Sequence, residues 1–305
     1  MAARPLRWEC VVVGAGPAGL SAALYMGRFR RRTLVVDDGR GRWSYGQRTD
    51  NYLGFPRGLS ARRLQSLGQA QAARFGVRFR AGTVRGLARS GRGFRLRLAR
   101  GSVAARTVIW AAGVQDRWPS FPGARRLVGK RLFWCIVCDG WRTRDRRVLL
   151  VGRDDAAGRV ALQFLTYTRD VALVLDGGRV SGRCRRKLDA QGLAVCPGRI
   201  ERVRVRDDGL QVALADGRVL EVDYIFSLLG HTPRTEPLRA LGVSLGPRGH
   251  VRADDKGRTS LPGVFAAGDV TDAHAHQVVS AVFEGAEAAL AANHALYPPS
   301  RKVPK

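Results

Sequence analysis

The feature that most constrains this chain is Gly14-Ala-Gly16-Pro17-Ala18-Gly19, six residues set between an apolar run and a helical one. Cys10 to Val13 reads as a short buried strand, and Ala18 to Met26, rich in Ala and Leu, as the helix after it. Small residues at such a junction let the backbone come close to a pyrophosphate, which the positive end of the helix then holds. The next strand, Thr33 to Val36, runs into Asp37 and Asp38 about twenty residues after the turn, the spacing at which a carboxylate reaches an adenosine ribose. Asp37 and Asp38 are near-equal candidates for that bond; the plainer reading of Asp37 is an ordinary strand-end turn. Strand, turn, helix and strand together predict a nucleotide site at Gly14, Gly16, Pro17, Ala18, Gly19 and one of the two aspartates.

A second unit of the same kind follows. Arg147 to Val151 predicts a strand, Gly152 a turn, Ala156 to Thr168 a helix, and Val171 to Leu175 the next strand. Further strands are expected at Arg78 to Arg80, Phe94 to Leu98, Thr107 to Trp110, Ile200 to Arg206, Gln211 to Ala215 and Tyr224 to Leu228. A last helix is expected over Gln277 to Leu296. With 305 residues, beyond the size at which one core keeps growing, the fold class is α/β: two Rossmann-like three-layer nucleotide-binding domains, the second inserted into the first. The opening MAARPLRWEC has no uninterrupted apolar stretch or small-residue cleavage site, so a cytoplasmic location is expected. Cys10 to Gly27 is uncharged, but its glycines and Pro17 interrupt it as a membrane span.

The formal net charge is +28 and comes from arginine, since only Lys130, Lys187, Lys256, Lys302 and Lys305 are lysines. Arginine scattered over the whole chain is what a compositional bias would produce. A functional reading is a field that draws in an acidic partner. No nucleic-acid module accompanies the charge, so nucleic acid is not the expected partner.

Five cysteines in a reducing compartment argue for one redox or metal pair rather than a disulfide framework. Cys135-Ile-Val-Cys138-Asp139-Gly140 supplies it: two thiols separated by two residues can close a small redox disulfide, and a helix start favours the thiolate. Zinc would need a second ligand pair; Cys184 and Cys196 are not spaced as one, and no histidine lies near either. Those two and Cys10 read as small apolar core residues. Asp139 is placed to shuttle a proton, or simply to cap a turn. Gly268-Asp269, after the apolar run Val264 to Ala267, would set a carboxylate beside a polyol, with a helix start beyond it.

Six ordered motifs now carry a resemblance: GAGPAG, Asn51-Tyr-Leu-Gly-Phe-Pro56, IWAAG, CIVCDG, LLGHTP and GVFAAGDV. Over nearly its full length the chain resembles the low-molecular-weight thioredoxin reductases. The resemblance implies an FAD-binding domain at 1–115 and 244–305 and an inserted domain at 116–243 that carries the cysteines. It implies that Cys138 faces the flavin, that Cys135 attacks the partner disulfide and that Asp139 is the acid/base. Asp269, Gln277 and Val278 would hold FAD together with Gly268, Ala112 and Gly113, Asn51 would line its pocket, and the protein would be a homodimer.

The second βα unit departs from that family. Where a nicotinamide-using member has Gly-x-Gly-x-x-Ala, this chain has Gly152-Arg-Asp154-Asp155-Ala-Ala157, with a carboxylate at the middle glycine position. Asp176-Gly177-Gly178 replaces the expected His-Arg-Arg cluster, with Arg153 and Arg179 the nearby candidates for compensation. NADPH is therefore not expected as a cofactor. Electrons would pass instead through an acidic redox protein such as ferredoxin, a thioredoxin-like protein, a second FAD, or a small dithiol with oxygen as acceptor; the charge favours the protein partners. A flavin redox sensor is the reading from another class. Trp43, Tyr45, Trp134 and Trp141 would either stack on isoalloxazine or fill the core, and Tyr297 would either stack across a dimer or pack at its helix end.

Overall fold

A computed structural model describes residues 8–301; the N-terminal residues 1–7 and the tail residues 302–305, on which the expectations about export and about the end of the tail partly rest, lie outside the described residues. The described residues divide into two compact units, one of residues 8–44, 59–115 and 232–301, the other of residues 45–58 and 116–231. Each contains a parallel sheet with helices, the arrangement of two Rossmann-like nucleotide-binding domains.

In the first unit β1 (Trp8–Val13), α1 (Pro17–Arg28), β2 (Thr33–Asp37) and β3 (Ser102–Trp110) build the site. β1 lies between β2 and β3, parallel to both, with Val12 opposite Val35 on one side and Ile109 on the other. Cys10, Val11 and Val12 are wholly buried, which is why the strand reads as a continuous apolar run rather than an alternating one. Arg78–Ala81 extends the sheet beyond β2, Val264–Ala266 pairs in parallel with the end of β3, and Gly93–Leu98 and Val84–Ser90 add an antiparallel ribbon.

α1 and the C-terminal helix Val278–Leu296 meet through small residues. A Cβ on Gly285 would come within 2.1 Å of the Ala18 carbonyl oxygen, so the two backbones approach as closely as glycine and alanine allow. That contact fixes the N-terminus of α1 against the segment bearing Gly268 and Asp269.

In the second unit β4 (Val148–Val151), α2 (Asp155–Phe164) and β5 (Val171–Val174) repeat the pattern. The five-stranded sheet runs Leu132–Phe133, Tyr224–Ser227, β4, β5 and Ala194–Cys196, all parallel. Ile200–Arg206, Gly209–Leu214 and Val219–Val222 form a separate antiparallel sheet.

The units differ from the expected domain limits in two places. Residues 232–243 belong to the first unit because Leu238 and Val243 are buried in its core beside Val11, Val36 and Trp110. Residues 45–58, with Asn51, belong to the second. Tyr45 meets Trp118 and Trp134 edge-on at 5.5 and 5.4 Å, and Gly129 packs so closely that a Cβ there would stand 2.8 Å from the Gln47 nitrogen.

Candidate functional site

In the first unit the glycines of the turn are required by contact. Gly14 has φ +107°, and a Cβ on it would fall 2.2 Å from the Ala111 carbonyl oxygen; one on Gly19 would fall 1.9 Å from the Gly14 oxygen. Gly16 differs, because a Cβ there would meet nothing nearer than Trp43 Cδ1 at 3.9 Å. It is the N-cap of α1, Pro17 fills the first turn, and no side chain caps the helix. Asp37 braces the turn: Oδ1 accepts from the Ala15 amide at 2.9 Å and Oδ2 from the Gly39 amide at 3.0 Å. Asp38 pairs with Arg40 at 2.7 Å and with Arg234 at 3.4 Å. Ala112 and Gly113 follow Ala111 at the end of β3, and Gly113 has φ +65°.

The Gly268-Asp269 turn lies beside this one, since a Cβ on Gly268 would stand 2.7 Å from Ala18 Cβ. Its shape is set by Glu284, a buried residue of the C-terminal helix whose Oε2 accepts from the Gly268 amide at 2.7 Å and from Thr271 Oγ1 at 3.0 Å. The Asp269 carboxylate meets Arg42 Nη1 at 2.7 Å. Gln277 is the N-cap of that helix, in a capping box with Ser280, and Val278 is its first residue. The first unit contains every cofactor position expected from the sequence except Asn51.

Two observations test whether FAD fits here. The first turn of α1 has no side-chain cap and an open face at Gly16, which is what a pyrophosphate needs. Trp43 Cδ1 is the nearest atom to that face, and the adjacent indole nitrogen is a buried donor without a hydrogen-bond partner. The residues fit the group.

In the second unit Cys135 and Cys138 form a disulfide with a Cα–Cα distance of 5.3 Å. Cys135 begins the short helix Ile136–Asp139, and its Sγ accepts from the Cys138 amide at 3.1 Å. Asp139 is buried, its Oδ1 accepting from Arg142 Nε at 2.9 Å, while Arg142 Nη2 also bonds Asp50 Oδ2. Burial pushes the Asp139 carboxyl up to about 6; the Arg142 bond opposes that rise and the Asp50 charge adds to it. Val137, between the two cysteines, and Trp141, three residues after Cys138, are 69% and 54% exposed. Cys10, Cys184 and Cys196 are buried free thiols, as the core reading predicts.

At the second βα unit Asp154 does not project into open space as a steric block. It is the N-cap of α2, and its Oδ1 accepts from the Ala156 and Ala157 amides at 3.0 and 3.2 Å. Arg153, one candidate for compensation, is bound by Asp176 at 3.0 Å through Nε and 2.5 Å through Nη2. Gly178 is pressed against Arg153, where a Cβ would stand 2.1 Å from the carbonyl oxygen, and Arg179 donates its amide to that oxygen at 3.0 Å. Asp155 takes both the amide and the hydroxyl of Ser181 at 2.7 Å. Side chains of this chain already occupy donors at the helix start and the strand-end loop.

A family model described as pyridine nucleotide-disulphide oxidoreductase matches residues 8–285. The chain belongs to that family. It is 31% identical over 309 residues to the bifunctional thioredoxin reductase/thioredoxin of Mycobacterium leprae (strain TN), covering 92% of this chain and 64% of that one. To the thioredoxin reductase of Treponema pallidum (strain Nichols) it is 30% identical over 296 residues, covering 93% and 96%. The crystal structure of HlmI superposes with a TM-score of 0.87 at 35% identity, covering 95% of this chain and 92% of that one. Within the pyridine nucleotide-disulphide oxidoreductases the chain is thioredoxin reductase-like, a flavoprotein oxidoreductase acting on disulfides, and membership implies FAD. No helix among the described residues is long and apolar enough to cross a membrane.

Three of the aromatic candidates have protein partners. Tyr45 and Trp134 join Trp118 in a mutual edge-to-face cluster on the second unit's core. Tyr297 packs at its helix end, its ring 5.2 Å from the Arg31 guanidinium and its hydroxyl accepting from Asn293 at 3.2 Å. The sequence reading missed Arg42, Asp50, Arg142 and Glu284. Only Arg142, three residues after Asp139, had a local signal, the (i, i+3) spacing of an ion pair on one helical turn.

Proposed function

We propose that this flavoprotein moves electron pairs between FAD, held in the first unit, and the Cys135–Cys138 pair, without using NADPH or NADH. FAD, when bound, supplies a two-electron carrier. The observation that carries the reading is the contrast between two helix starts. α1 begins at Gly16 with no side-chain cap, whereas α2 begins at Asp154, whose carboxylate takes two amides that a phosphate would otherwise bind. Such a carboxylate also repels phosphate charge, and Asp176 engages Arg153.

In this reading Gly14, Gly16, Pro17, Ala18 and Gly19 admit the pyrophosphate of FAD. Asp37 or Asp38, Ala112, Gly113, Gly268, Asp269, Gln277 and Val278 complete its site. A Cys135 thiolate attacks a partner disulfide and forms a mixed disulfide. Cys138 then attacks Cys135 Sγ, so the Cys135–Cys138 bond forms as the partner becomes a dithiol; two electrons and two protons leave the enzyme. Asp139, its carboxyl pushed up to about 6, holds or releases a proton at its carboxylate oxygens near neutral pH. The net charge of +28 supports an acidic redox protein such as ferredoxin. The family likeness supports a thioredoxin-like protein or small dithiol at the cysteines and a homodimer as the assembly.

The test is anaerobic titration of the flavin absorbance with NADPH, NADH, reduced ferredoxin and dithiothreitol in parallel. Bleaching by dithiothreitol and by the one-electron donor is expected. Bleaching by NADPH within one turnover would overturn the proposal.

A further inference from the structure

Asp139 is joined to its surroundings mainly through one side chain. Arg142 Nε donates to Asp139 Oδ1 at 2.9 Å, and Arg142 Nη2 donates to Asp50 Oδ2, so a single planar guanidinium bridges carboxylates 89 positions apart in the chain and locked within one unit. All three side chains are withdrawn from solvent, Asp139 most of all. The face of Arg142 lies over the Trp141 ring, 4.8 Å from its centroid, which limits how the guanidinium can turn. Arg48 approaches Asp50 from behind at 3.8 Å but is half exposed, and the Tyr167 ring faces Gly140 on the other side of the turn. One guanidinium therefore bridges two acids beside a redox disulfide.

We infer that Arg142 and Asp50 are positioning residues for the dithiol chemistry, the guanidinium bridge deciding whether the Asp139 carboxyl carries a proton while the cysteine pair is opened and closed. The inference rests on the reading of Cys135–Cys138 as the working pair and takes it one step deeper. When dithiothreitol opens that disulfide, the Cys135–Cys138 bond breaks and a disulfide forms within the reagent. Two electrons reach the cysteine sulfurs, and two protons from the reagent's thiols must be placed on them. A carboxyl that is protonated too weakly cannot deliver a proton to the leaving sulfur, and one protonated too firmly cannot take it back.

The two bridge residues pull in opposite directions. Arg142 favours the Asp139 carboxylate, and the Asp50 charge disfavours it. Arg142→Met then moves Asp139 toward the acid form and Asp50→Asn toward the carboxylate. Arg142→Lys keeps the charge but loses the fork that spans both acids, and falls between wild type and Arg142→Met.

The experiment follows two readouts against pH on the flavin-loaded protein, with no pyridine nucleotide present. These are the rate at which dithiothreitol opens Cys135–Cys138, scored by mass spectrometry, and the rate at which iodoacetamide alkylates the reduced pair. Arg142→Met is expected to move the midpoint of the profile to higher pH by about one unit, and Asp50→Asn to move it to lower pH by about half a unit. Arg142→Lys should recover part of the first shift. Profiles that superpose in all four proteins, or that move the same way in Arg142→Met and Asp50→Asn, would overturn the inference. Should Arg142→Met not fold, the acid-side shift of Asp50→Asn decides alone. Reduction by NADPH would sink the proposed function and leave these profiles standing; unchanged profiles with NADPH inert would sink only the bridge.

Discussion

Replacing Asp154 by alanine separates the cap at α2 from the charge it carries. The substitution removes both bonds from Oδ1 to the Ala156 and Ala157 amides and returns those donors to solvent. Loss of an N-cap of this kind costs about 1 kcal/mol. For a unit of this size that is a fall in Tm of about 3 °C. Asp154→Asn keeps the capping oxygen and loses the charge, so its Tm should stay within a degree or so of wild type. Pyrophosphate sharpens the comparison in flavin-loaded protein, where the α1 start is filled: in Asp154→Ala the α2 start regains donors, and pyrophosphate should raise its Tm more than that of wild type. Thermal melts followed by circular dichroism, with and without pyrophosphate, read all three. An Asp154→Ala protein as stable as wild type, or an equal response to pyrophosphate in both, would refute the reasoning.

Further outcomes follow from contacts already described. Gly19→Ala would drive a Cβ to 1.9 Å from the Gly14 oxygen and should cost several kcal/mol or prevent folding. Gly16→Ala meets no protein atom closer than 3.9 Å, so it should leave the Tm of the flavin-free protein unchanged and lower its flavin content, read from the ratio of flavin to protein absorbance; full flavin retention would contradict the placement of FAD. Because the folded Asp139 carboxyl is raised from 3.8 to about 6, its protonation contributes stability that is fully present below pH 3.8 and is lost as pH rises through 6. The difference is roughly 2–3 kcal/mol, and Asp139→Asn should flatten that part of the profile in denaturant melts between pH 4 and 7.

The parts of the fold that were legible are those where a local pattern and the tertiary role coincide. β1 reads as an apolar run because both its faces are buried, and the final helix, expected at Gln277 to Leu296, spans Val278–Leu296. Ala61–Ala73 and Gly182–Ala190 gave no apolar stripe: each buries two residues and is started by a serine cap, Ser60 or Ser181, that a rule based on hydrophobic period passes over. Asp154 was legible as a residue out of place, but its role as a helix cap was not. Asp is a favoured N-cap, so its side chain folds back onto the helix amides that a phosphate would otherwise bind. The Arg142–Asp50 bond and the Tyr45–Trp118–Trp134 cluster join segments far apart in sequence, and nothing local announces such contacts.

The most direct measurement of the central claim is calorimetric titration of NADPH into the oxidised, flavin-loaded protein at low salt, where phosphate binding is strongest. No saturable heat is expected up to millimolar NADPH, because α2 is capped by its own aspartate and Arg153 is held by Asp176. A micromolar dissociation constant, abolished by substitutions within residues 152–157, would contradict it.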